Sequence, residues 1–136
     1  LTEEYVLAAC HILEAIASYL CNERLAILKK EDLHTRIDEY IFQNLTGDLS
    51  VPALCRQFSI GKTYLYEITN STYGIGVAEH IRNLRIKKAK ELLTEHRDWT
   101  IGQIAAACGF QDYNYFISAF KKNTGYSPKQ YQKNTP

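Results

Sequence analysis

Residues 99–131 read WTIGQIAAACGFQDYNYFISAFKKNTGYSPKQY, and this stretch decides the fold. Ile101, Ile104 and Ala105 recur on one helical face, with Thr100 as N-cap before them. Gly109 takes φ > 0 at little cost, as a sharp turn between helices requires. Asp112 is a natural N-cap for a second helix. Phe116, Ala119 and Phe120 direct that helix's apolar side back at the first. Gly125 stops it, and Pro128 suits the first turn of another short helix. Two helices crossed this way form a helix-turn-helix. The second keeps one side outward, the side that in such units enters a DNA major groove.

The pattern is written twice. A shift of 50 residues pairs Leu49 with Trp99, Val51 with Ile101, Leu54 with Ile104 and Cys55 with Ala105. After a one-residue step in the turn, Tyr64 pairs with Tyr115, Leu65 with Phe116 and Gly74 with Gly125. In the first copy Ser50 is the N-cap, Pro52 lies in the first turn, and Phe58-Ser59-Ile60 makes the inter-helix turn. A helix over 61–71 follows, with Tyr64, Leu65 and Ile68 inward. The two units therefore span about 49–75 and 99–125. The first copy has no glycine equivalent to Gly109 and no basic end equivalent to Lys121-Lys122.

Residues 77–96 separate the copies and read as one uninterrupted helix. Ile81, Leu84, Ile86, Ala89, Leu92 and Leu93 supply its apolar positions, and Arg82, Arg85, Lys87, Lys88 and Lys90 its charge. Its length is ~30 Å at 1.5 Å per residue. Adjacent major grooves on one face of B-DNA lie ~34 Å apart, so such a rod suits two recognition helices on successive turns. Most of its charges read as a solvated face. Arg85 is expected to pair with an acidic residue inside the domain.

These residues resemble a known family. Ile104-Ala105-x-x-x-Gly109-Phe110, then Phe116-x-x-x-Phe120-Lys121-Lys122-x-x-Gly125-x-Ser127-Pro128-x-x-Tyr131, is similar to the signature of the AraC/XylS bacterial transcription regulators. Arg85-Ile86-x-x-Ala89-x-x-Leu92-Leu93 is similar to that family's linker helix. The resemblance covers about residues 35–133. It implies an all-α, seven-helix DNA-binding domain with two helix-turn-helix subdomains joined by a long linker helix. It also implies a transcription activator that binds promoter DNA, contacts RNA polymerase and often carries a separate sensing domain. The first copy departs from the pattern: an aromatic residue is expected where Thr69 stands, and basic residues where Glu67, Asn70 and Ser71 stand.

Upstream, residues 35–45 read as an amphipathic helix with Ile37, Tyr40, Ile41 and Leu45 inward and Thr35 as its cap. Residues 29–33, KKEDL, mark a boundary. Residues 3–30 read as an additional long N-terminal helix, with Val6, Ala9, Leu13, Ile16, Leu20 and Ile27 as its stripe and Tyr5, Ile12 and Tyr19 widening it. The expected organisation is a coupling or dimerisation segment at 1–33, with a homodimer through residues 5–28, and a DNA-binding domain at 34–136. Residues 1–33 hold three basic and six acidic residues and 34–136 thirteen and nine, so the larger part is basic. Methionine is absent, position 1 included, and a further domain on the N-terminal side is expected.

The outward positions of the first recognition helix are Lys62, Thr63, Tyr66 and Glu67. Lys62 suits phosphate or guanine, Tyr66 sugar or a thymine methyl, and Glu67 cytosine N4. In the second copy Gln111 lies in the turn, and Asp112, Tyr113, Asn114, Ile117 and Ser118 follow. Asn and Gln read adenine bidentately. Lys121 and Lys122 suit phosphates, and Thr100 opens a helix whose N–H groups suit another. Tyr64 and Tyr115 are assigned to the core.

The four cysteines form no CxxC pair and, with scattered histidines, no metal-ligand spacing; they are expected reduced and mostly buried in a cytoplasmic protein. No catalytic dyad or glycine-rich phosphate loop is present, so neither an enzyme nor a cofactor is expected. No run of 18 apolar residues occurs and the first residues are acidic, so no membrane span or signal peptide is expected. The expected function is sequence-specific binding of double-stranded promoter DNA. The alternative is a helical protein-interaction module acting through the N-terminal helix.

Overall fold

The computed structural model describes residues 2–136, with side chains described at 2–25 and 32–136. Seven helices and no strand occur among the described residues: α1 (Glu3–Gln43), α2 (Val51–Phe58), α3 (Lys62–Tyr73), α4 (Val77–Glu95), α5 (Ile101–Ala107), α6 (Tyr113–Thr124) and α7 (Pro128–Asn134). The all-α architecture with two helix-turn-helix units, α2–α3 and α5–α6, is as expected. The chain divides into two compact units, Leu1–Arg36 and Ile37–Pro136.

The first unit is helical from Glu3 onward. The break expected at 29–33 is absent: α1 is one 41-residue helix, and Thr35 lies inside it rather than at a cap. No Gly or Pro occurs between Glu3 and Gln43, and Lys and Glu are good helix formers, so charge alone does not end a helix. Tyr5, Val6, Ile12, Leu13, Ile16, Tyr19 and Leu20 are all exposed. Ile27 lies outside the residues whose side chains are described. Glu3–Leu25 is also long and apolar enough to cross a membrane, with a mean hydropathy of 1.3. No run of 18 apolar residues occurs in it, and the average alone meets the criterion. His11, Glu14, Ser18 and Asn22 interrupt any continuous apolar run without lowering the average enough. Helices buried in soluble proteins meet the same criterion.

In the second unit, α4 is the central element and packs against α3, α5, α6 and α7. Its C-terminal half contributes Ile86, Ala89, Leu92 and Leu93 to a core closed by Ile104, Ala105, Cys108, Phe110, Phe116 and Phe120. Phe110, Phe116 and Phe120 pack in sequence at 5.0 and 5.8 Å between ring centroids, and Tyr131 of α7 meets Phe120 edge-on at 5.4 Å. Arg97 donates to the carbonyls of Gln132 and Thr135, and Gln132 donates to that of Leu93, which ties α7 down.

The first half buries Ile37, Ile41, Leu45, Leu49, Leu54, Leu65, Ile68, Val77 and Ile81. A polar cluster crosses it. His80 Nε2 lies 2.7 Å from Asp38 Oδ1, and Tyr73 donates its hydroxyl to Asp38 Oδ2. A carboxylate only accepts, so Nε2 carries the proton. The Tyr73 ring stacks on His80 at 3.8 Å. Burial and the Asp38 carboxylate push the Tyr73 hydroxyl well above its ordinary pKa. Asp38 thus joins the end of α1 to α3 and α4.

The two inter-helix turns share a backbone solution. Gly109 has φ +90°, and Ser59, its partner under the 50-residue shift, has φ +53°. The first copy therefore makes the left-handed turn without glycine. The two sites differ in space. A Cβ on Gly109 would lie 1.9 Å from the Leu45 carbonyl oxygen, which excludes every other residue there. Of the cysteines, only Cys108 is buried; Cys10 and Cys21 are exposed and Cys55 half-buried, contrary to the expectation. Burial pushes the Cys108 thiol up to about 12, so it stays protonated.

Gly109→Ala should destabilise far more than Gly125→Ala. At Gly125 (φ +84°) nothing lies within 4 Å of an added Cβ. The cost there is left-handed strain alone, about 1–2 kcal/mol. Urea unfolding of the two variants measures the difference; equal losses would refute the steric argument.

Candidate nucleic-acid interface

On α3, Leu65, Ile68 and Thr69 face the core. At 100° per residue this leaves Thr63, Tyr66, Glu67 and Asn70 on the opposite side, and all four are exposed. Lys62, at the start of the helix, is exposed and holds its ammonium 5.6 Å from the centre of the Tyr66 ring. Thr69, where the family resemblance leads one to expect an aromatic residue, is buried and donates to the Leu65 carbonyl at 2.8 Å. A small back-bonded residue fills that place.

On α6, Phe116 and Phe120 are fully buried. Asn114, Ser118, Lys121 and Lys122 occupy the opposite arc and are exposed. Gln111 and Tyr113 are exposed near the start of the helix. Ile117 is not an outward residue: it is half-buried and packs against the core. The 51-residue shift places Thr63 opposite Asn114, Glu67 opposite Ser118, and Asn70 opposite Lys121. The repeat thus presents equivalent surface positions with different chemistry.

Two expected contacts have structural roles. Asp112 accepts from the Tyr115 N–H at 2.9 Å and caps α6. Thr100 and Gln103 form a reciprocal capping box at the start of α5, with bonds of 3.1 and 2.8 Å. The polar side chain of each is engaged with backbone.

Two tyrosines assigned to the core are not in it. Tyr64 is 39% and Tyr115 50% exposed. Each precedes a core residue (Leu65, Phe116), which rotates it 100° away, to the flank of its helix. Arg82 of α4 donates to the Tyr115 hydroxyl at 3.4 Å, and Glu79 lies 3.9 Å from the same arginine. Tyr115 also recurs with Ser118 and Lys122 at i, i+3 and i+7, a signal that marks it as part of the outward face. Arg82, Tyr115, Ser118 and Lys122 line a groove of about 320 Å³ between α4 and α6. A larger cleft of about 720 Å³ runs from Thr46–Val51 across Arg82 and Arg85 to Gln111 and Tyr115.

Arg85 corrects another expectation. Among the described residues its guanidinium pairs with no acid; Nε and Nη2 donate to the Leu45 carbonyl at 3.2 and 3.1 Å. Burial holds its pKa below the usual arginine value. Two more cations, Lys87 and Lys88, lie over the Phe42 ring at 5.8 and 5.5 Å. No group of three or more His, Cys, Asp or Glu is placed to hold a metal ion among the described residues.

Two exposed recognition-helix faces, each in a helix-turn-helix unit and both carried on α4, define a DNA-binding domain of the doubled helix-turn-helix class. A helix-turn-helix domain family model matches residues 54–134. The chain belongs to the AraC-type family of transcription regulators, as its DNA-binding domain. An uncharacterised regulator of Escherichia coli K12, YijO, is 33% identical over 105 residues, which cover 77% of this chain and 37% of that protein. The transcriptional activator RhaR of Cronobacter sakazakii is 34% identical over 93 residues, covering 65% and 32%. The chain spans about a third of the length of these relatives. Among solved structures, the C-terminal domain of the response regulator AraT from Geobacillus stearothermophilus is 29% identical with a TM-score of 0.68, covering 75% of this chain and 84% of that one. The DNA-binding domain of AdpA, solved in complex with a target DNA, shares the fold at 20% identity and a TM-score of 0.66, covering 74% and 89%.

Asp112→Ala should lower stability by about 1 kcal/mol through loss of the cap. Asn114→Ala and Ser118→Ala, on the open face, should stay within about 0.5 kcal/mol. Thermal unfolding reads the contrast, and destabilisation by the latter two would mean that those side chains serve folding.

Proposed function

We propose that this domain binds a promoter sequence by inserting α3 and α6 into successive major grooves of one duplex. The observation that carries the reading is the pair of exposed faces at equivalent positions of a repeat, joined by one rigid 19-residue helix. That helix is about 28 Å long, against ~34 Å between adjacent grooves on one face. Asn114 and Gln111 read bases, with Ser118 and Tyr113 beside them. Lys121 and Lys122 hold phosphates, as do the first N–H groups of α5 beside Thr100. Asp112 orients α6 through its cap. On α3, Lys62, Thr63, Tyr66 and Glu67 carry sequence preference with little phosphate charge. Tyr115 and Arg82 are added to the contact set on geometry alone.

RhaR is an activator by name, which supports activation, with RNA polymerase as the further partner, in a bacterial cytoplasm. The exposed apolar stripe of α1 supports a second role for residues 5–28: contact with a second copy of the chain or with a sensing domain. DNA binding by residues 34–136 does not depend on it.

Affinity for a duplex should fall steeply with salt, because neutralised phosphates release counterions. Lys121→Ala should weaken all sequences about equally and reduce the salt slope by about one. Glu67→Ala should instead change which sequence is preferred. Competition binding at two salt concentrations tests both, and salt-independent or absent binding to every selected duplex would sink the reading.

A further inference from the structure

The Leu45 carbonyl oxygen is held from two sides. Arg85 Nε and Nη2 of α4 donate to it at 3.2 and 3.1 Å. On the other side stands Gly109, the turn of the second helix-turn-helix, so close that a Cβ there would come within 1.9 Å of the oxygen and 3.0 Å of Arg85 Nε. Leu45 lies in the segment that leads from α1 into α2, the support of the first helix-turn-helix. Three separate pieces of the domain therefore meet at one atom: the entry to the first unit, the linker helix, and the turn that aims α6. Next to this point a cleft opens between the two helix-turn-helices, and Arg85, Gln111 and Thr46 all border it.

The geometry is directional. A guanidinium donating two N–H groups to one oxygen constrains both distance and angle, which a single ammonium does not. Gly109 leaves no room for closer approach, since a side chain there would meet the Leu45 backbone. The apolar core below, around Ile86, Ala89 and Phe116, holds α6 against α4 but is non-directional. The polar contact ties α4 to the Leu45 segment, and the Gly109 turn abuts the same oxygen.

We infer that Arg85 is a positioning residue that sets the separation of the two recognition helices, and thereby the base-pair spacing between the two half-sites that the domain accepts. The inference rests on the two-groove reading above. One added base pair moves a half-site by ~3.4 Å and rotates it by roughly a tenth of a turn. A locked domain pays for that mismatch in lost contacts; an unlocked one follows the DNA.

The experiment uses the full chain and a duplex selected by it from a random library. Derivatives of that duplex carry one or two base pairs inserted or deleted between the half-sites, and one has the second half-site scrambled. Wild type should lose tenfold or more on each one-base-pair change. Arg85→Ala and Arg85→Gln should flatten this to within about threefold, while binding the scrambled-half duplex as wild type does. Arg85→Lys, with one point donor, should fall between. If alanine does not yield folded protein, the glutamine and lysine profiles are compared. An Arg85 variant that keeps the wild-type spacing profile, merely weakened or less thermostable, overturns the inference and leaves the arginine a structural residue. A wild type insensitive to spacing, or to scrambling one half, instead overturns the two-groove reading itself.

Discussion

One backbone oxygen, that of Leu45, organises the DNA-binding domain. Its pairing with Arg85 turns a half-buried cation into a directional tie, and the close approach of Gly109 makes the tie a wedge. A buried guanidinium without acceptors would be costly. Here the acceptor comes from a carbonyl beyond the end of α1, whose own bonding would otherwise have to be met by water. Each group answers the other's need, and the result is that two helix-turn-helix units, each with its own apolar core, are related by more than a shared linker.

The repeat shows how the same backbone is reached by different means. Gly109 and Ser59 both take left-handed conformations at equivalent turns, but only Gly109 faces another backbone. Ser59, a non-glycine residue with φ +53°, lies exposed. Below the turns, the second unit is sealed by a row of aromatic rings. The first is held by aliphatic residues and by the Asp38–Tyr73–His80 cluster, which is polar and therefore orientation-specific. The outward faces diverge further: α6 ends in two lysines, whereas α3 carries Glu67 and Asn70 at matching places.

Helix positions, caps and breaks from Ser50 onward were readable because each rests on local chemistry. Ser50, Thr100 and Asp112 cap as their side chains allow, and Gly74 and Gly125 end helices with φ > 0. Reading failed where the signal was charge or flank position. The KKEDL charge does not end the helix, since it holds only residues that a helix tolerates, although the compact units divide close by, between Arg36 and Ile37. Tyr64 and Tyr115 looked like core because they repeat and are aromatic, yet a rotation of 100° from their buried neighbours puts them on the surface.

The family, the all-α class and the doubled helix-turn-helix were determined by the sequence alone, since periodicity and capping act over fewer than a dozen residues. Tertiary structure decided what Arg85 binds, why position 109 admits only glycine, and that Arg82 and Tyr115 meet. Those facts join residues 24 to 64 positions apart through a carbonyl, a missing Cβ or a side-chain hydroxyl. No periodic pattern encodes such a meeting, because the backbone groups involved are the same for every residue type and only the fold brings them together.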